Sequence, residues 1–220
     1  MAAARSQRRA PDAARKRIPG AARRELIVDA ATAEFAQLGY EGASIGRIAL
    51  AAGVSRTVLY DHFPSKHALF VELLRAQYAA LLSFLSAPIA RDAPMRERMQ
   101  ETYDAFFRFV QERPLAWRLL FPAHPPLDPT VVEDYRTVRT EANRLLADLL
   151  APDARRSGVD PASDVGRIIF AIHLDSLHGA ARWWRAHPET PRSELVRAMT
   201  AALWTGMGAA ERGEPWVTPT

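Results

Sequence analysis

The amino-acid sequence predicts an all-α fold in two parts, a small N-terminal helical domain followed by a larger one. Apolar side chains recur three and four residues apart from about Arg23 onward, and no stretch alternates convincingly with a period of two. The breaks in this pattern fall at glycine or proline. A chain of 220 residues can bury a substantial core unaided, and its lack of cysteine excludes disulfides, thiolate metal sites and cysteine nucleophiles.

The first three predicted helices are marked by the residues at their ends. A first helix runs from about Arg23 to Gly39, a glycine of the kind that ends helices. Ser44 is placed to cap a short second helix, and Ser55 is placed to cap a third that continues to about His62. These three helices, and the start of a fourth, therefore fit within about the first 65 residues.

Longer helices are predicted in the rest of the chain. The fourth helix begins at Ser65 and runs to roughly Leu85. A loop with four prolines lies between Pro122 and Pro129. The other helices are predicted over residues 95–113, 114–121, 128 or 130 to 150, 162 or 163 to 187, and 191–211.

Positive charge is concentrated at the N-terminus. Residues 1–24 contain eight arginines and lysines against one acid, a local charge of +7, whereas the whole chain is only +4 and the remainder is −3. A segment so basic and so poor in apolar bulk cannot bury enough surface to order its backbone, which predicts a disordered basic arm over residues 1–22. The sequence has no signal-peptide core and no uncharged apolar run near 18 residues, so we expect no membrane span.

The segment from residue 44 to 66, SIGRIALAAGVSRTVLYDHFPSK, has the pattern of a helix-turn-helix. Two short helices are joined by a turn around Gly53, and the second can enter the major groove of DNA. Val54, Leu59 and Phe63 recur about four residues apart and are expected to face inward. The opposite face then carries donors, acceptors and an aromatic ring, on Arg56, Thr57, Tyr60 and Asp61.

With the preceding run LIVDAATAEFAQLGYEGAS and the following HALF, this segment resembles the TetR family of bacterial transcriptional regulators. The resemblance implies a homodimer whose N-terminal domains bind a palindromic double-stranded DNA operator. It also implies a larger helical domain that dimerises and binds a small effector. On this interpretation the chain divides into the arm over 1–22, a helix-turn-helix DNA-binding domain over 23–68, an effector-binding and dimerisation domain over 69–212 and a flexible tail over 213–220.

The resemblance assigns DNA-binding roles to individual positions. Arg56, Thr57 and Asp61 match base-facing positions, where they suit guanine, the thymine methyl and cytosine respectively. Asp61 has an alternative, because a carboxylate near a polyanion can instead cap the helix or pair with Arg56 or an arm arginine. The positions that match phosphate contacts carry hydroxyl, imidazole and ammonium donors, on Ser44, Tyr60, His62 and Lys66.

The arm is a candidate for further DNA contacts. Residues 25–70 hold five acids against three bases, a local charge of −2, so phosphate neutralisation has to come from elsewhere. We hypothesise that Arg15, Arg17 and Arg23 supply it, either in the minor groove or on phosphates. The alternative is an unstructured tail that only aids solubility.

Aromatic side chains are frequent in the second half and predict either an ordinary core or an apolar effector cavity with a few orienting polar groups. His173, Asp175 and His178 lie on no single helix face, which argues against a metal site. The residues selected as ligand contacts are Phe106, Trp117, Phe121, Tyr135, His173, Asp175 and Trp183. Small residues on the last two long helices suit a dimer interface.

The sequence contains none of the common catalytic signatures, including the nucleophile elbow, the P-loop, the H-E-x-x-H zinc motif and the dinucleotide fingerprint. The prediction is therefore a cytoplasmic, ligand-responsive regulator, a repressor that a small apolar effector releases, with no catalytic residues, cofactor or metal. The alternative from another class is a helical small-molecule-binding or enzymatic bundle in which DNA binding is lost or secondary.

Overall fold

A computed structural model of the chain describes residues 19–122 and 126–211, the last seven of these by their backbone alone. Within these ranges the chain forms nine α-helices and no strand, which confirms the predicted all-α class. The helices are α1 Gly20–Gly42, α2 Ile45–Ala51, α3 Arg56–His62, α4 Lys66–Ala90, α5 Met95–Glu112, α6 Pro114–Leu120, α7 Pro129–Arg156, α8 Asp164–Ala186 and α9 Arg192–Glu211.

The turns between the first helices depend on glycine, as the sequence indicates. Gly39 has a φ of 69°, so the regular part of α1 ends there and the last residues of the helix follow a kink. Gly53 has a φ of 67°, and the bonds from its N–H to Leu50 and from Val54 N–H to Ala49 close the end of α2. Both are conformations that residues with a side chain rarely adopt.

Side chains cap the starts of α3 and α4. Ser55 Oγ accepts the N–H of Val58 at 3.2 Å, and Ser65 Oγ accepts the N–H of Ala68 at 2.9 Å. These bonds satisfy amides that have no partner within their helix. The predicted starts of α3 and α4 are therefore confirmed.

Three helices extend beyond their predicted ends. α1 begins at Gly20, inside the segment assigned to the arm, because the carbonyl of Pro19 accepts the N–H of Arg23 at 3.0 Å. α4 continues past Pro88 to Ala90, and α7 continues past Pro152 to Arg156. A proline near the end of a helix removes one hydrogen bond, and the tertiary packing outweighs that loss.

The core of the larger part is built around α4. This helix packs mainly against α5 and α7, while α5 also packs on α9 and α6 packs on α1. Length and composition alone would let α4 cross a membrane, but its large apolar side chains point into this core. The arm up to residue 18 and the tail from residue 213 lie outside the described residues, so their predicted disorder remains a prediction.

Candidate nucleic-acid interface and ligand cavity

The outward face of α3 is exposed in the way that the sequence predicts. Leu59 and Phe63 are fully buried beneath it. Tyr60 is 48% exposed, although it is a large aromatic residue. The polar residues Arg56, Thr57 and Asp61 are exposed beside it on the same helix.

Arg56 reaches from α3 across to the first turn of α2. A Cβ built on Gly46 would lie 2.3 Å from Arg56 Nη2, so only a glycine leaves room for the guanidinium in this position. The guanidinium thus lies against the backbone at the first turn of α2. Because the side chain is long and exposed, it can rotate toward a base edge without disturbing the core.

The N-terminus of α2 is held by a carboxylate from α1. Glu34 Oε1 accepts the backbone N–H of Ser44 at 2.9 Å and the Nε–H of Arg47 at 2.6 Å. Ser44 precedes α2 as predicted, but its side chain makes no capping bond. Its hydroxyl is therefore not committed to the helix, which suits a phosphate contact.

Lys66, another residue predicted to contact a phosphate, makes non-covalent contacts with the end of α1. Its Nζ lies 4.5 Å from the ring centroid of Tyr40 and 3.4 Å from the carbonyl oxygen of Glu41, to which it donates. Partial burial lowers the pKa of the Lys66 ammonium. The contacts orient this cation beside the start of α4.

The remaining predicted DNA residues differ in how they are placed. His62 is half-buried and lies against Phe63. Asp61 forms no salt bridge within the described ranges, so the alternative of pairing with Arg56 finds no contact in this state. Arg23 lies in the first turns of α1, whereas Arg15 and Arg17 fall outside the described residues.

A cavity of about 240 Å³ lies in the larger part, between α4, α5, α7 and α8. On α4 its wall extends from Tyr78 to Ile89, twelve residues whose first and last Cα atoms are separated by about 16 Å along the helix axis. A volume of this size spread over such a length forms a narrow channel. The wall is mainly apolar, with side chains such as Leu81, Leu85, Met99, Leu146, Ile169 and Leu177.

The cavity also contains polar groups at separate positions along its length. His173 Nε2 lies 2.8 Å from the hydroxyl of Tyr103, near the middle. Burial raises the pKa of Tyr103 and lowers that of His173. At the end near α6, burial lowers the pKa of His178 to about 4, so its ring is neutral at pH 7.

The N-terminal helices and the cavity wall are connected by specific contacts. The N–H of Leu127 donates to Glu41 Oε1 at 2.6 Å, just before the start of α7. His67 Nε2, on α4, lies 2.6 Å from Asp134 Oδ2 on α7. α6, which packs on α1, is followed directly by Phe121 in the cavity wall.

The comparisons with known proteins agree with this architecture. Residues 27–73, from α1 into α4, match the model of the family described as bacterial regulatory proteins, tetR family. Residues 27–73 therefore belong to the tetR family of regulatory domains. It is 29% identical to the HTH-type transcriptional activator FasR of Mycolicibacterium smegmatis over 194 residues, 87% of this chain and 85% of that protein.

Two solved structures show the same fold as this chain at low sequence identity. FadR from Bacillus halodurans is 18% identical, with a TM-score of 0.70 over 82% of this chain and 97% of that one. FadR from Bacillus subtilis in complex with stearoyl-CoA is 15% identical, with a TM-score of 0.69 and the same coverage. At these identities the likeness shows the fold alone, and it is the match over residues 27–73 that shows a helix-turn-helix domain of the tetR family.

The residues predicted to contact a ligand fall into two groups. Phe106, Phe121 and His173 lie on the cavity wall. Trp117 does not, because it packs behind the wall with its ring centroid 4.2 Å from that of Phe121. Tyr135 also lies off the wall, since its hydroxyl donates to the carbonyl of Leu120 at the end of α6.

Two further residues predicted to contact a ligand do not line this cavity, because both side chains face outward. Asp175 is exposed, as expected for a residue about 200° around α8 from His173. Trp183 is 48% exposed and stacks on His187 with ring centroids 4.2 Å apart. Its neighbour Trp184 is the buried tryptophan of the pair and donates its indole N–H to Thr190.

Sequence reasoning missed a buried charged pair in the cavity wall. Arg98 on α5 and Asp153 on α7 form a salt bridge at the end of the cavity away from α6. Arg98 falls in the apolar stripe of α5 that also contains Met95 and Met99, and this position was the available signal. Within residues 19–122 and 126–211 no three His, Asp or Glu side chains are grouped to hold a metal ion.

Proposed function

We propose that the chain binds a palindromic operator as a homodimer and acts as a repressor that a small, largely apolar effector releases. The observation that carries this proposal is the exposed polar and aromatic face of α3 on a fully buried apolar base. A helix supported in this way can enter the major groove without unfolding the domain. A protein that regulates transcription by binding bacterial DNA acts in the cytoplasm, so we also propose a cytoplasmic location.

In the proposed complex, different side chains supply specificity and affinity. Arg56, Thr57 and Asp61 face the base edges. Basic and hydroxyl groups on Ser44, Tyr60, His62 and Lys66 contact phosphates, and the arm adds neutralising charge through Arg15, Arg17 and Arg23. The proposed boundary between the two domains lies near residue 68, in the first turn of α4.

The dimer interface is proposed on α8 and α9. α8 carries an exposed apolar stripe of Val165, Ile168, Ile172 and Trp183, each between 42% and 58% exposed. Large apolar side chains in a row favour burial against another protein surface. Other residues of α8 and α9, such as Ala181 and Leu195, are already buried within the chain and are not part of the proposed interface.

The proposed effector is an extended aliphatic chain. The cavity is narrow and apolar, which suits a chain better than a compact ring system. The similarity in fold to FadR from Bacillus subtilis, solved in complex with stearoyl-CoA, supports the same class of ligand. The cavity is larger than the roughly 150 Å³ that holds a benzene molecule, and by proportion it suits about ten carbon atoms.

Effector release is proposed to operate by a shift between two dimer conformations. The effector favours a wider separation of the two α3 helices than the spacing of successive major grooves, about 34 Å. Occupancy of an operator that overlaps a promoter excludes polymerase without further contacts, which favours repression. The relative FasR is named as an activator, so the same kind of DNA binding can also increase transcription.

Selection of bound duplexes from a random pool tests the DNA-binding part of the proposal. The expected result is an inverted repeat with half-sites about one helical turn apart. A variant with Arg56→Ala and Thr57→Ala should lose the base preference in each half-site. Failure to enrich any sequence would contradict the proposal and favour a helical small-molecule-binding or enzymatic bundle.

A further inference from the structure

The most unusual side chain in the cavity wall is Arg98. It is 8% exposed and is the only buried charged residue among residues 19–122 and 126–204. A guanidinium cannot lose its charge at ordinary pH, so each of its N–H groups needs an acceptor when it is taken out of water.

The hydrogen bonds described for Arg98 use two of the five N–H groups of its guanidinium. Nη1 donates to the carbonyl of Ile89 at 3.0 Å, and Nη2 donates to the carboxylate of Asp153. Nε is fully buried and has no hydrogen-bond partner. A buried, charged donor without an acceptor is costly, and such groups in folded proteins commonly mark a site for a ligand or an ion.

The charge around this site is also incompletely balanced. Asp153 Oδ1 accepts a second bond from Arg156 Nη1 at 3.0 Å, so one carboxylate is shared by two guanidinium groups. The three side chains together carry a net charge of +1. This positively charged cluster forms a pole at the end of the cavity near Ile89 and Ser157, opposite the end formed by Phe121 and His178.

We propose that Arg98 binds the carboxylate of an aliphatic effector, so that the cavity recognises a fatty acid by its head as well as by its chain. This inference rests on the proposed function, since it identifies the polar group of the proposed effector. The carboxylate pairs with the Arg98 guanidinium where this side chain lines the cavity, and its charge offsets the excess positive charge of the cluster. The chain extends from this pole along the apolar channel toward Phe121.

Calorimetric titration with a set of ten-carbon probes tests the proposal. Decanoate, methyl decanoate and 1-decanol share the same chain and differ in the head group. The wild-type protein should bind decanoate on the order of 10- to 100-fold more tightly than either neutral probe, the difference expected for a hydrogen bond to a charged group. Equal affinity for decanoate and methyl decanoate would overturn the proposal.

Variants locate the head-group preference within the protein. Arg98→Met should abolish the preference for decanoate while 1-decanol still binds. The double variant Arg98→Met with Asp153→Leu removes both charges, so it keeps the test valid if the single variant does not fold. Arg91→Met is the matched control, because Arg91 pairs with Glu97 and Glu101 on the surface near the same end of α5.

The outcomes separate this proposal from the proposed function. A decanoate preference that persists without Arg98 would overturn the role of Arg98, whereas binding of 1-decanol would continue to support an aliphatic effector. If none of the three probes binds to the wild-type protein, both the head-group proposal and the effector class are overturned. The DNA-binding proposal would then still stand on the duplex selection.

Discussion

Glu41, at the end of α1, accepts the backbone N–H of Leu127 at 2.6 Å and thereby joins the DNA-binding domain to the segment that leads into α7. The N–H of Asp128 points to the same carboxylate oxygen at 3.4 Å. The bond from Leu127 is the main reason that the pKa of Glu41 lies below its ordinary value. Since α7 forms one wall of the cavity, this contact connects the two proposed sites directly.

Glu41→Ala should weaken the coupling between effector and DNA without preventing either from binding. Removing the carboxylate frees the segment before α7 from α1, so a change in the cavity reaches α3 less effectively. We expect the effector-induced loss of DNA affinity to shrink by roughly 0.5–2 kcal/mol. Fluorescence anisotropy of a labelled duplex, with and without effector, measures this difference.

Glu133→Gln is the matched control for that experiment, since Glu133 is an exposed carboxylate of α7 whose partner Arg136 lies on the same helix. It should behave as the wild type. If Glu41→Ala and Glu133→Gln change the coupling equally, the contact between Glu41 and Leu127 does not carry it.

His178 should make the fold less stable in acid. Burial lowers its pKa to about 4 against the opposing effect of Asp175, while Arg139 and Arg182 lower it further. Between about pH 6.5 and 4 the unfolded chain therefore binds a proton at His178 that the folded chain does not. The contribution of neutral His178 to the free energy of unfolding is fully present above this range and is lost as the pH falls through it. Across the range the loss amounts to up to roughly 3 kcal/mol.

His178→Phe removes this titration while keeping a ring beside Phe121, whose centroid lies 4.2 Å from that of His178. Urea unfolding between pH 4 and 7 should show a smaller decline in the free energy of unfolding for the variant. Parallel curves for the two proteins would mean that His178 does not contribute to acid sensitivity.

Two classes of DNA-contact variant should be distinguishable. Tyr60→Ala with Lys66→Ala should weaken binding to all duplexes and reduce the slope of log affinity against log salt by about 1, because the variant has one fewer cation facing a phosphate. Arg56→Ala should instead cost about 1–3 kcal/mol at one base pair per half-site. Arg155→Ala, an exposed arginine in the last turn of α7, is the control that should leave both quantities unchanged.

Deletion of residues 1–18 should reduce DNA affinity more at low salt than at high salt. The deleted segment carries most of the basic groups that give the first 24 residues a charge of +7. It leaves α1 intact, since that helix begins at Gly20. The slope of log affinity against log salt should flatten because the shortened chain neutralises fewer phosphates, and an unchanged slope would contradict a DNA role for the arm.

Gly166→Ala should destabilise the protein through a backbone clash. A Cβ at this position would lie 2.3 Å from the carbonyl oxygen of Asp160 and 2.9 Å from Cα of Pro161. We expect a loss of about 1–3 kcal/mol in the free energy of unfolding. Gly179→Ala on the same helix meets only the far end of Arg182 at 3.9 Å and should be neutral or stabilising, since alanine favours helices.

The N-terminal domain could be predicted closely because its signals are local. Gly39, Gly53, Ser55 and Ser65 each act on the backbone within a few residues, so their positions in the sequence determine where the helices end or begin. The period of apolar residues on α3 likewise separates its buried face from its exposed one. Such features require no knowledge of distant contacts.

The cavity could be predicted only in outline because its wall depends on how distant helices pack. Trp117 and Phe121 are both aromatic and lie four residues apart, yet only Phe121 reaches the wall. The pair of Arg98 and Asp153 joins residues 55 positions apart, which no local pattern indicates. The outward position of Asp175 could have been predicted from the sequence, since the angle between helix positions already separates it from His173.

The most direct test of the account measures the duplex dissociation constant of the full chain with and without saturating decanoate. If the α3 face and the cavity are coupled sites of one regulator, decanoate should raise this constant by at least about 5-fold, and the duplex should weaken decanoate binding by the same factor. An unchanged constant, with decanoate binding demonstrated by calorimetry on the same sample, would contradict the account.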